Sequence, residues 1–128
     1  MPLQDLKNYL DIDIAESLEE RFMDEEAFYL RFLRKLLVTQ DFALLEQAVA
    51  AEDWAEALRK AHNLKGVCAN LGLNSLSGRF AAIVKLLRSE GFTAAEVRAL
   101  LAALRPEWER TLLYISKVET EALVPDGN

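Results

Sequence analysis

The sequence predicts an all-α chain: an antiparallel up-and-down four-helix bundle with an additional short N-terminal helix. Three observations carry this. Apolar residues recur at three- and four-residue spacing along most of the chain. Capping signatures precede such runs at Asp13-Ile14-Ala15-Glu16, Asp53-Trp54-Ala55-Glu56 and Thr93-Ala94-Ala95-Glu96. No stretch alternates apolar and polar residues between turn residues, and no hairpin dipeptide precedes Asp126-Gly127.

The elements follow in order. Residues 1–12 read as a peripheral segment and residues 122–128 as a tail, with one domain over 13–121 between them. Asp13 opens a short helix to about Phe22. Asp24 caps the next, which carries Phe28, Phe32 and Leu36, then Leu44, Leu45 and Val49 at helical spacing. It either runs unbroken to about Ala51 or bends near Thr39-Gln40-Asp41. Asp53 opens a helix that ends at Gly72, a left-handed terminator. Asn74 caps a helix reaching about Glu90 and stopped by Gly91. Thr93 opens the last helix, which reaches about Glu121, with Pro106 kinking it or restarting it. Short links between long amphipathic helices favour antiparallel neighbours.

Composition narrows the function. A chain of 128 residues, 52% of them hydrophobic, is one domain with a sizeable core. No apolar run approaches the roughly 20 residues that span a bilayer. The N-terminus lacks the basic-then-apolar pattern of a signal peptide. Cys68 is the only cysteine, which excludes an intramolecular disulfide. A cytoplasmic protein is the expectation. A formal charge of −6 argues against nucleic acid as a partner. Charge is uneven, however. From Arg59 through Arg88 there is no Asp or Glu, while Arg59, Lys60, Lys65, Arg79, Lys85 and Arg88 are all cationic. Such a window suits an acidic partner or an anionic group.

His62, the single histidine, lies in that window, in the run Ala61-His62-Asn63-Leu64-Lys65-Gly66. At about 100° per residue, Trp54, Ala57, Ala61, Leu64 and Cys68 form the core stripe, and His62 lies about 120° from its centre. Its surface neighbours are Ala55, Arg59, Lys65, Gly66 and Ala69, three of them tiny and two cationic. A mid-helix glycine costs about 1 kcal/mol relative to alanine, so the bare patch calls for a reason. A neutral, exposed imidazole flanked by cations is suited to attack a phosphoryl group, and the cations can then hold the anionic product. No base or orienting carboxylate stands nearby in sequence, so the site is incomplete for hydrolysis on its own. Cys68 is six residues on and faces elsewhere, one histidine cannot build a histidine-based metal site, and no glycine-rich phosphate loop is present.

These residues resemble the histidine-containing phosphotransfer (HPt) domains of phosphorelays. The motif is Ala61-His62-Asn63-Leu64-Lys65-Gly66, then Asn70-Leu71-Gly72, Leu76 and an apolar Ile83. The resemblance implies a four-helix bundle in which His62 accepts a phosphoryl group from a receiver-domain phospho-aspartate and passes it to another receiver. It implies that Lys65 stabilises the phosphohistidine and that Gly66 leaves room for the partner. It also implies no intrinsic cofactor, the Mg²⁺ being brought by the response-regulator receiver domain, and a hybrid histidine kinase as a further partner. A monomer is expected. Where many members carry Glu or Gln to bond the imidazole, this chain has Val84. Arg88, one turn on, is the candidate substitute phosphate contact, with Arg79 and Lys85 adding weaker exposed charge. Asn63, Ala69 and Arg59 complete the candidate docking face. Two alternatives stand beside this reading: a binding-only module that docks a receiver or kinase, and a helical adaptor whose basic face holds an unrelated acidic protein.

Overall fold

Side-chain caps start the helices where the sequence places acids and hydroxyls. The computed structural model describes residues 1–119. Asp13 Oδ1 accepts the Glu16 N–H at 3.0 Å, opening α1 (Ile14–Arg21). The second helix, α2 (Glu26–Arg34), starts one residue later than expected, with Glu25 at its N-cap. Asp24 cannot cap it, because Met23 and Asp24 both turn through the left-handed region, with φ of 52° and 59°. The long second helix is broken. After α2 the chain tightens into a 3₁₀ turn (Lys35–Leu37), and Thr39 Oγ1 then accepts the Asp41 N–H at 3.3 Å to start α3 (Asp41–Ala50). The β-branched pair Val38-Thr39 and this local hydroxyl bond compete with helix continuation, so the bend wins.

Asp53 caps α4 (Trp54–Asn70) through the Glu56 N–H at 3.2 Å. Its end is a Schellman turn: Leu73 N–H donates to the Cys68 carbonyl at 2.9 Å and Gly72 N–H to that of Ala69 at 3.1 Å, with Gly72 at φ 80°. A Cβ on Gly72 would lie 2.4 Å from the Asp13 carbonyl oxygen, so α1 packs directly on this turn. Asn74 is the first residue of α5 (Asn74–Leu87) rather than its cap, which falls on Leu73 without a side-chain bond. The helix ends before Glu90, and Gly91 turns at φ 74°. Thr93 and Glu96 form the full reciprocal capping box of α6 (Ala94–Ser116). Pro106 sits inside α6 on the exposed side. The helix ends at Ser116, and the expected end at Glu121 lies outside the described residues.

Helices α3 to α6 close a ring, α3 on α4, α4 on α5, α5 on α6 and α6 back on α3. Cross-helix contacts show the antiparallel sense. Glu46 pairs with Arg105 and Glu52 with Arg98, so α6 runs opposite to α3. Ser77 Oγ donates to the Lys65 carbonyl at 3.0 Å across α4 and α5. At the centre Phe42 stacks on Trp108 with ring centroids 4.9 Å apart, and Phe80 meets both edge-on. The all-α bundle of the sequence reading is therefore the fold, with α1 and α2 laid against it. Residues 1–12 are not peripheral. Leu3 and Leu6 are buried in a 3₁₀ turn (Leu3–Asn8), the Met1 ammonium donates to the Lys117 carbonyl at 2.9 Å, and Arg110 donates to the Tyr9 carbonyl. Among the described residues no helix is long and apolar enough to cross a membrane.

Candidate functional site

Helix α4 presents three faces. Ala57, Ala61, Leu64 and Cys68 are buried, as the spacing predicts, while Trp54 is half-buried and edges Phe92 at the end of the bundle. Burial pushes the Cys68 thiol up to about 12, with Glu107 adding to it, so the thiol is an unreactive core group.

His62 is exposed on the second face. It opens into a shallow hollow of about 280 Å³ lined by Ala55, Leu58, Arg59, Asn63 and, from the end of α5, Arg88. No acid lines this hollow. One turn on, Gly66 is half-buried, and a Cβ added there would meet nothing within 4 Å. Lys65 is half-buried one turn from His62, and among the described residues neither it nor Lys85 nor Arg88 makes an ion pair. On the facing helix Val84, where the resemblance would put a polar residue to bond the imidazole, is 3% exposed and points into the core. The route from Val84 to Arg88 is one helical turn, which carries the guanidinium out of the core and over the hollow.

The structure divides the basic window. Arg59, Asn63 and Arg88 gather at His62. Arg79 does not. It pairs with Glu107 at 2.6 Å and donates to the Ala103 carbonyl at 3.5 Å, bracing α5 against α6 beside Pro106. Lys85 is exposed and Ala69 half-buried, both outside the hollow. Lys60 pairs with Asp41 at 3.4 Å and Glu56 at 4.0 Å, and Arg59 pairs with Glu56. Acids from α3, α6 and the start of α4 thus neutralise part of a window that contains none.

The third face borders a groove of about 650 Å³ that the sequence reading missed. Phe22 from the end of α1, Phe28 and Phe32 from α2 and Leu36 from the 3₁₀ turn wall one side, and Leu64 and Val67 of α4 with Leu71 at its C-cap wall the other. Phe28 meets Phe22 and Phe32 edge-on at 5.2 and 5.0 Å, and Lys35 Nζ lies 4.3 Å over the Phe32 ring. Of its lining, Phe32 and Val67 remain 36% and 41% exposed. Clustered exposed apolar groups of this kind mark interaction surfaces. One signal was readable: Val67 lies about 90° from the core stripe, yet is apolar. Asn63 lines the hollow and Val67, one turn on, lines the groove, so the two sites adjoin.

Among the described residues no group of His, Cys, Asp and Glu is placed to hold a metal ion. A family model described as Hpt domain matches residues 33–112, from the end of α2 into α6. No curated protein and no solved structure matches the chain.

Proposed function

The chain belongs to the Hpt domain family, and from that premise we propose that His62 is its phosphoryl acceptor and that it serves as a phosphorelay intermediate. Hpt domains act in phosphotransfer in two-component signalling, alongside receiver domains and kinases. The observation that carries the reading is the exposed imidazole opening into a hollow walled by Arg59 and Arg88 with no acid in its lining.

In the proposed step a ring nitrogen of neutral His62 attacks the phosphorus of a receiver phospho-aspartate. The N–P bond forms as the P–O bond breaks, and the aspartate carboxylate leaves with the electron pair. Transfer to a second receiver is the reverse of this step on another aspartate. Arg59, Arg88 and Lys65 would hold the anionic product, since charge-assisted bonds to phosphate are the stronger kind. Mg²⁺ would come with the receiver. This chain contributes an accessible nucleophile, positive charge and the clearance at Gly66. The aromatic groove beside Asn63 would give the receiver an apolar contact next to the polar one, in keeping with the core-and-rim anatomy of protein interfaces.

The test is direct. The protein is incubated with a phosphorylated receiver domain and Mg²⁺, and acid-labile, base-stable phosphate on it is measured. His62→Gln loses the label and keeps its helical content. Label that persists in His62→Gln places the acceptor elsewhere. A wild-type protein that binds the receiver without taking label is a docking module instead.

A further inference from the structure

We propose that Arg59 is shared between Glu56 and the phosphorylated His62, so that Glu56 competes with the phosphoryl group for the cation and limits how firmly the group is held. The proposal rests on His62 being the acceptor.

Glu56, Arg59 and His62 stand at i, i+3 and i+6 on α4. Each step rotates about 60° around the axis, so Arg59 lies between the other two and can lean either way. In the unphosphorylated protein it leans to Glu56, with which it pairs, while Arg59 also lines the His62 hollow. Its side chain is 68% exposed, so the pair is screened by solvent and holds it only weakly. Glu56 has a second cation. Lys60 Nζ lies 4.0 Å from its other carboxylate oxygen and is itself held by Asp41 at 3.4 Å. When Arg59 leaves, Glu56 keeps Lys60 and is not stranded.

A phosphoryl group on His62 brings close to two negative charges and three acceptor oxygens within one helical turn of Arg59. That is a stronger partner than a carboxylate already shared with Lys60. Arg59 then turns from Glu56 to the phosphoryl group and returns when the group departs. No covalent bond changes beyond the transfer itself. The consequence concerns a carrier's balance. A site that binds its cargo too firmly does not pass it on, and a competing carboxylate beside the arginine weakens the hold.

The experiment uses phosphoramidate to phosphorylate the protein, with ³¹P NMR following the pH at which the phosphohistidine phosphoryl group takes up its last proton. A nearby cation favours the dianion and lowers that midpoint. Arg59→Gln raises it by a few tenths of a pH unit, the size expected of one exposed ion pair. Glu56→Gln lowers it by a similar amount. In the Arg59→Gln background, Glu56→Gln moves it by less than half as much, because there is no arginine left to release. In labelled protein the Arg59 Nε–H resonance also shifts on phosphorylation, and Glu56→Gln reduces that shift. Equal Glu56→Gln shifts in both backgrounds overturn the proposal, since Glu56 then acts by direct repulsion. A midpoint insensitive to Arg59→Gln overturns it as well. Wild-type protein that takes no label on His62 removes both this proposal and the acceptor reading, whereas normal labelling with a stationary Arg59 removes this one alone.

Discussion

Gly66 and Gly78 both sit inside helices, and an added Cβ meets nothing within 4 Å at either. Packing in the isolated protein therefore requires neither glycine. Replacing each with alanine should raise stability by about 0.5–1 kcal/mol, the helix-propensity gain, measurable as a higher urea midpoint. The two should part on function. A bulkier Gly66→Gln should slow label uptake from a phosphorylated receiver at least several-fold, while Gly78→Gln leaves it near the wild-type rate. Equal rates for both would reduce Gly66 to an unused flaw in the helix. The sequence already pointed to Gly66, because helical spacing alone puts it beside His62. It ranked Arg88 above Arg79 from its place one turn past Val84, but it could not show that Arg79 has a partner of its own. Counting charge along the chain showed no acids, but Glu107 reaches Arg79 from another helix and Asp41 reaches Lys60 from a third. Only tertiary packing decides which cations remain available to an anion.

At the level of elements, the legible starts were those where a carboxylate or hydroxyl could reach the N–H three residues on, at Asp13, Asp53 and Thr93. Asp24 and Asn74 have equally suitable side chains but caps need a particular backbone entry, which the left-handed turn at Asp24 and the tight Gly72 turn before Asn74 do not provide. The break at residues 35–40 depended on a hydroxyl bond from Thr39 that spacing could allow but not select. Gly72 shows an element boundary that the sequence located and the fold explains. It needs both its left-handed φ and its missing Cβ, because the Asp13 carbonyl oxygen lies against it, held there by the Asp13 N–H donating to the Gly72 carbonyl at 2.8 Å. Gly72→Ala should cost about 2 kcal/mol or more, the left-handed penalty plus the displacement of α1. Gly91, with the same sign of φ but open space around it, should cost only about 1–2 kcal/mol as alanine. Chemical denaturation of the two variants side by side checks the order; equal losses would mean that α1 moves aside at little cost.

For the whole molecule, one helix carries the arrangement: α4 turns a core stripe inward, His62 outward and Val67 toward the aromatic groove. The first two faces were legible from 3.6-residue periodicity. The groove was not, since its other wall comes from α1 and α2, whose approach depends on the Met23-Asp24 turn and on Tyr29 donating to the Leu71 carbonyl at 2.7 Å. That tyrosine links the bundle's architecture to its pH response. Burial, with Asp13 as the smaller cause, pushes the Tyr29 hydroxyl well above the usual phenol range, and burial likewise pushes the Cys68 thiol up to about 12. Both groups hold their proton more tightly folded than unfolded. Their contribution is complete below the unfolded values, which start near 9.0 for the thiol, and is lost as pH rises toward the folded ones. The urea midpoint should therefore hold steady from pH 7 to 8.5 and then fall, at roughly 1.4 kcal/mol per pH unit for each group titrating only in the unfolded chain. Cys68→Ala lowers stability at neutral pH through the cavity it leaves, yet should flatten the fall between pH 9 and 10, where the thiol is the first to act. A midpoint constant to pH 10.5, or a slope unchanged in Cys68→Ala, would show that these groups reach water in the folded bundle.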